Sequence, residues 1–535
     1  MRTNRHLIGK QTFDLRLSAK DEAHDIQHEL SRLYWQRVVP GIERLFDRLA
    51  GPDELIRLDK LELDLGTISP QDLRSDVFVQ KLMKELESVL LEALAQNSPN
   101  VISQPLRLGR FDLWLYFLEH GALPAHASIP ESIPEWHRHI FETLALDAKA
   151  VERLRRLLAT RPQAMERLLV QYEDAFLQQV IGLFTGYDQQ QLPTAVLELA
   201  TNITETLQIL HQAIQRNAKT ASFTHEAWID ALIKALLRRI PALKSKPQWQ
   251  LDCKTWLLQN QINTSAISSP AFKRQLEKEV WRILINAVII QRQKANTAIL
   301  MSGAIKQPTF KPWLLVVIQN IEKGSKNLPL LTHWLQELKA DNPLSAHQPE
   351  VPINHPLSKA IPNTTETDRN GYFIQNAGIV LLHPFLAQFF KRLELCEGLE
   401  FKDDWSRQKA ICLLHYLGTG EIHTPEYHLV LPKFLCGLPL NIPLDHSIHI
   451  SPAEQAEADN LLAAVIEHWG ALGSASPDGL REGFLQREGK LEKRPSGWFL
   501  RVESKTLDIL LDRLPWNLSL LKLPWMEEML RVEWR

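Results

Sequence analysis

From about residue 105 to about 340, apolar side chains recur at intervals of three and four, and short proline or polar breaks cut the pattern into pieces. The pieces include "PEWHRHIFETLAL", "AVERLRRLLAT", "AMERLLVQYEDAFLQQVIGLF", "PTAVLELATNITETLQILHQAIQR", "HEAWIDALIKALLRRI" and "SPAFKRQLEKEVWRILINAVIIQRQ". Each such piece has one apolar stripe to hide, so it must pack against another. The spacing therefore predicts an all-helical middle region, 105–340, of antiparallel helix pairs. No strict repeat period recurs, which favours an irregular helical region over a solenoid-like stack.

Ahead of it, residues 1–104 read as a β-α-β-α domain. "QTFDLRL" alternates, with Phe13, Leu15 and Leu17 on one face. The following 29 residues, from Asp21 to Leu49, have helical spacing, and Pro40 should kink or split that helix. In "LIRLDKLELDLG" the apolar parity changes between Leu58 and Leu61, so a bulge or turn is expected near Asp59–Lys60. Ser69 and Pro70 mark the start of a second helix. Residues 341–370 are rich in Pro, Asn, Thr and His and read as a polar linker.

Residues 371–535 read as a C-terminal α+β domain, which makes the whole chain mainly α with small β elements. "SPAEQAEADNLLAAVIEHWG" carries a capping box, Ser451 with Glu454, behind which Pro452 opens a helix. "KLEKRPSGWFLRVE" reads as a hairpin. "NAGIVLLHPFL", Asn376 to Leu386, is apolar on all sides up to His383, so it should be buried on both faces as the spine of this domain. Gly378 would let a neighbour approach closely. Pro384 should open a new helix whose stripe is Leu386, Phe389, Phe390 and Leu393.

Lys and Arg number 61 against 63 Asp and Glu, a formal charge of −2, so no cationic surplus points to nucleic acid. No run reaches the roughly 18 apolar residues of a spanning helix, so no membrane is expected. Cys253, Cys396, Cys412 and Cys436 form no C-x-x-C pair and read as buried thiols. Gly418 and Gly420 lack the Lys-Ser/Thr of a phosphate loop and read as a helix stop. His137 with His139, and His446 with His449, lack metal-ligand company. Cys436 and His383 could only be catalytic if they met. Asp478, Arg481, Glu482, Arg487 and Glu488 read as a salt-bridged helix end. The tail tryptophans Trp516, Trp525 and Trp534 fit core packing better than an exposed contact. No catalytic, cofactor or metal residue is assigned.

The ordered blocks "NAGIVLLHPFLAQFFKRLEL", "KAICLLHYLGTGE", "PEYHLVLPKFLCGLPL", "LLAAVIEHWGALG", "DGLREGFLQREGKL", "GWFLRVESKTLDILLDRLPWNLSLLKLPWM" and a terminal "VEW" resemble the tape measure protein family of contractile injection systems. "HLIGKQTFDLRL", the helix and strand after it, and "DLWLYFLEHGALP" resemble the family's N-terminal blocks. The resemblance implies a non-enzymatic protein of bacterial cytoplasm that helps set inner tube length, as tape measure or assembly factor. It implies tube, baseplate or spike proteins as partners, with a terminator cap as a further candidate and a place inside the assembled particle as one outcome. The alternative is a helical-repeat scaffold that binds partners outside any particle.

Overall fold

The computed structural model describes residues 23–51, 53–58, 60–73, 76–95, 101–125, 133–217, 225–239, 270–291 and 371–534 except 423–424 and 445–447, with positions 6, 8, 11–16, 127 and 254 besides. The chain is mainly helical with small sheets and divides into two compact units. Unit one comprises 1–117 and 123–146; unit two comprises 118–122 and 147–535.

In unit one, α1 (Ala23–Leu33) and α2 (Val39–Leu49) are joined by a π turn, Tyr34–Val38. Pro40 has no N–H, and the ladder widens just ahead of it: Val39 N–H reaches back to Tyr34 O. The expected kink is thus a π turn. β1 (Glu54–Leu58) stops where the parity changes. Ser69 Oγ accepts from Asp72 N (3.0 Å) and caps α3 (Pro70–Leu73); α4 (Asp76–Ala95) follows. Ile26, Leu30, Ile42 and Leu45 bury against Phe78, Leu82, Leu86 and Leu90.

Two expectations change here. Residues 11–16 are not a strand; Phe13 packs edge-on to Tyr34 at 5.9 Å, and Leu15 stays exposed. The alternation there serves side-chain packing without a ladder partner. Leu61, Leu63 and Leu65 likewise pack on the helices without pairing. The partner of β1 is β2 (Val101–Pro105), antiparallel, with Ile56 opposite Ser103. β2 runs directly into α5 (Leu106–His120), and α6 (Ile133–Leu146) packs on its first part through Trp136, whose indole donates to Arg110 O at 2.9 Å.

Unit two opens with helices: α7 (Ala148–Thr160), α8 (Pro162–Gln171), α9 (Asp174–Thr185), α10 (Leu192–Asn217), α11 (His225–Arg239) and α12 (Pro270–Gln291). α12 packs on α7, α8, α9 and α10. Its Leu276, Val280, Trp281, Leu284 and Val288 are buried. The spacing placed these helices. The one addition is a break at Tyr172–Glu173 that splits a single predicted helix into α8 and α9.

The remainder of unit two is built on a five-stranded sheet, order β3-β6-β7-β9-β8: β3 (Tyr372–Ile374), β6 (Gly489–Arg494), β7 (Gly497–Val502), β8 (Leu520–Leu521) and β9 (Leu530–Glu533). β6 and β7 are the expected hairpin; β7 and β9 run parallel. A small hairpin, β4 (Cys396–Glu397) with β5 (Glu400–Phe401), stands apart from it. Leu491, Leu500, Leu521 and Leu530 are buried in the core. On the other face Phe499 is covered by Arg494 and Arg531, 4.1 and 5.5 Å from its ring centre.

The spine is a 3₁₀ turn, Ala377–Leu382, with all six residues buried. A Cβ at Gly378 would overlap the Phe484 carbonyl oxygen, so glycine is required for that approach. α13 (His383–Arg392) follows with Pro384 in its first turn, and buries Leu386, Phe389 and Phe390; Leu393 is half-buried. His383 itself is already helical, since the preceding 3₁₀ turn feeds straight into the helix. α14 (Asp404–Thr419), α15 (Val430–Leu435), α16 (Pro452–His468) and α17 (Pro477–Leu480) complete the core. Both arms of the Ser451–Glu454 capping box form.

Candidate functional site

His383 Nδ1 lies 3.0 Å from Val380 O, and burial holds its imidazole below the ordinary range. Cys436 is fully buried. Burial pushes its thiol well up, and the groups that act on it are Cys396, Arg407 and Cys412, none of them a base. A thiol held protonated without an oriented base is a poor nucleophile. Cys396 and Cys412 are half-buried free thiols; Cys253 and His446 lie outside the described residues.

Gly420 is the left-handed cap of α14, its N–H on Tyr416 O at 2.7 Å, while Gly418 faces Ile379. Gly420 alone ends the helix; Gly418 lies inside it, buried where a side chain would crowd Ile379. His139 lies 2.7 Å from Arg110, with burial and two arginines holding its imidazole down. No group of three metal-ligating side chains occurs among the described residues, and no described helix is long and apolar enough to cross a membrane.

The charged cluster after α16 differs from a plain helix end. A π turn, Arg481–Leu485, sets Arg481 and Arg487 into the core. Arg481 pairs with Asp459 (2.6 Å) and Asp478 (2.7 Å) and donates to Leu417 O (3.3 Å). Arg487 pairs with Asp508 at 3.1 Å. Sequence spacing suggests local ion pairs. Asp459 and Asp508 are distant in sequence, and only the fold reveals them.

A second buried cluster joins α8 to the segment around α15. Arg167 on α8, Glu426 just ahead of α15 and Lys433 on α15 are all wholly buried. Arg167 Nε donates to Glu426 Oε2 at 3.1 Å, and Lys433 Nζ to Glu426 Oε1. Four carbonyls receive further bonds: Leu118 and Asn441 from Arg167, Leu440 and Ile442 from Lys433. Burial pushes the Lys433 ammonium down, and Glu426 pulls it partly back. The signal in the sequence was weak: an arginine at a core position of "AMERLLVQ" is indistinguishable from a surface one by spacing alone.

The described residues bring together no nucleophile with an oriented base. A family model for contractile injection system tape measure proteins matches residues 5–534. The chain belongs to that family. No curated protein matches it, and no solved structure does.

The blocks that carried the resemblance to tape measure proteins are structural in this member. Trp516 Nε1 donates to Leu381 O at 3.1 Å, which ties the tail to the spine; Trp525 Nε1 donates to Leu435 O at 2.8 Å. In the terminal "VEW", Val532 lies in β9, Glu533 pairs with Arg494 at 3.0 Å, and Trp534 donates to Asp508 at 3.2 Å. Trp534 is thus a core group, while Trp516 and Trp525 are half-buried against the core. Among the described residues, the tryptophans most open to solvent are Trp35, at the π turn of unit one, and Trp405, at the start of α14.

Proposed function

We propose that this tape measure family member acts without catalysis as a folded assembly factor of a contractile injection particle, governing how its inner tube is built and how long it becomes. The match across residues 5–534 carries this reading, because it takes in both folded ends and the helical middle. Tube, baseplate or spike proteins are the proposed partners, and assembly in the bacterial cytoplasm the proposed setting.

The fold supports a factor over a literal one-chain ruler. As one continuous helix 535 residues would span about 800 Å at roughly 1.5 Å per residue. The longest described helix, α10, has 26 residues and so reaches about 40 Å. The described helices are short, several are capped by side chains, and they pack on one another. The test is to remove the chain and image particles by electron microscopy. Absent particles, or tubes of scattered length, are expected; a uniform population of normal particles would overturn the proposal.

A further inference from the structure

We propose that the hairpin β4–β5 and the first turn of α14 form a docking surface for a partner protein that offers an apolar pocket bordered by lysines or arginines. The inference rests on the reading that the chain works by binding other proteins of the particle. Its first support is where large apolar groups meet water. Leu399, at the hairpin tip, is 69% exposed, and Trp405, in the first turn of α14, is 56% exposed. The helix that carries Trp405 packs on β5. Burial of such groups is favourable, and a partner that covers them collects that free energy.

The second support is that both groups are held in place. Phe401, at the base of the hairpin, is buried, its ring centre 4.7 Å from that of Trp525 and 5.8 Å from that of Phe390. Gly398, with φ +65°, makes the tight turn that puts Leu399 at the tip. The Trp405 ring centre lies 5.3 Å from Lys409 Nζ, which is itself bonded to His449 O and paired with Glu454. An aromatic anchor fixed in advance loses little entropy when a partner covers it.

The third support is charge, which decides the occupant. From Glu394 to Trp405 five carboxylates are exposed against one exposed ammonium, Lys402, in a chain whose formal charge is −2. Among the described residues no cation pairs with Glu394, Glu397 or Glu400. Glu397 and Glu400 stand directly opposite each other in the ladder. Like charges so placed repel and weaken the hairpin they sit on. A lysine or arginine from a partner relieves a repulsion that the chain leaves standing. A second copy meeting this surface with its own would bring carboxylate to carboxylate, so the occupant is a different protein.

Photocrosslinking tests the surface. In the full chain p-benzoylphenylalanine is placed at 399, at 405 and, as control, at 509, where Ile509 is 67% exposed on the 3₁₀ turn Thr506–Arg513. The probes are purified tube, baseplate and spike proteins, offered one at a time. One of them should crosslink from 399 and 405 about tenfold more than from 509, through a peptide that carries lysine or arginine. Glu400→Lys should cut that yield about tenfold, while its melting temperature equals or exceeds the wild type because a repulsive cross-strand pair becomes attractive. Equal yields from 399 and 509, crosslinks between copies of the chain, no crosslink at all, or a yield untouched by Glu400→Lys would each overturn the proposal. Normal particles in the absence of the chain would instead overturn the assembly reading on which it rests.

Discussion

Within unit two, the helical layer, α7 to α12, and the C-terminal part, 371–534, solve the same burial problem differently. The layer hides one apolar stripe per helix, with residues such as Leu154, Leu177, Val196 and Leu284 at or near full burial. The C-terminal domain instead buries whole turns, the spine 377–382 among them, and drives charges into its interior at Lys409, Glu426, Lys433, Arg481, Arg487 and Asp508. A stripe tolerates substitution by similar apolar groups. A buried charge tolerates nothing that removes its partner. The layer should thus be plastic and the domain exacting.

The largest expected effect follows directly. Glu426→Ala leaves Arg167 and Lys433 facing each other with no carboxylate, and should destabilise unit two by about 3–5 kcal/mol in denaturant unfolding. Leu168→Met in the layer, a volume-conserving change on the same helix as Arg167, should lower it by less than about 1.5 kcal/mol. Equal losses would erase the contrast between the regions.

Gly378→Ala comes next. Its methyl would overlap the Phe484 carbonyl, so backbone must shift, at about 3 kcal/mol. A melting temperature matching the wild type would show that the spine is looser than the structure has it.

Acid separates the regions differently. Burial pushes His415 down to about 3 and His428 to about 4, both in the C-terminal domain. Unfolded, each binds a proton near pH 6.5. Between pH 6.5 and 4 the unfolded chain therefore holds more protons, and stability must fall as pH falls. His415→Gln should flatten that decline in urea titrations across this window; an unchanged slope would exclude His415 as its source. The 3.9 Å approach of His415 to Glu421 is thus a contact of a neutral ring.

The smallest effect is Trp516→Phe, which keeps the ring and loses the bond to Leu381 O, at about 1 kcal/mol. It sharpens the comparison by showing whether the tail is welded to the spine or only rests on it.

The legibility of each region in the sequence follows the same divide. α6 to α12 could be read because a stripe at helical spacing is a local property, and the capping box of α16 because Ser451 and Glu454 are three residues apart. The spine could be read because "AGIVLL" leaves no polar face. The Arg167–Glu426 pair could not, because its members are 259 residues apart and each looks like a surface charge. The strand expected at 11–17 fails over 11–16, with Leu17 outside the described residues, because alternation does not reveal a ladder partner: Phe13 is covered by Tyr34 without one, and Leu15 stays exposed. Nor could parity have found β2, since "VISQP" has too few apolar residues to alternate.

The proposed role is that of a folded assembly factor whose contour does not measure the tube. The most direct test is to insert thirty residues between positions 341 and 370, outside every described element, and to measure tube length by electron microscopy. A folded factor predicts tubes of unchanged length. Tubes longer by about 45 Å, the rise of thirty helical residues, or by up to about 100 Å if extended, would contradict it and restore the literal ruler.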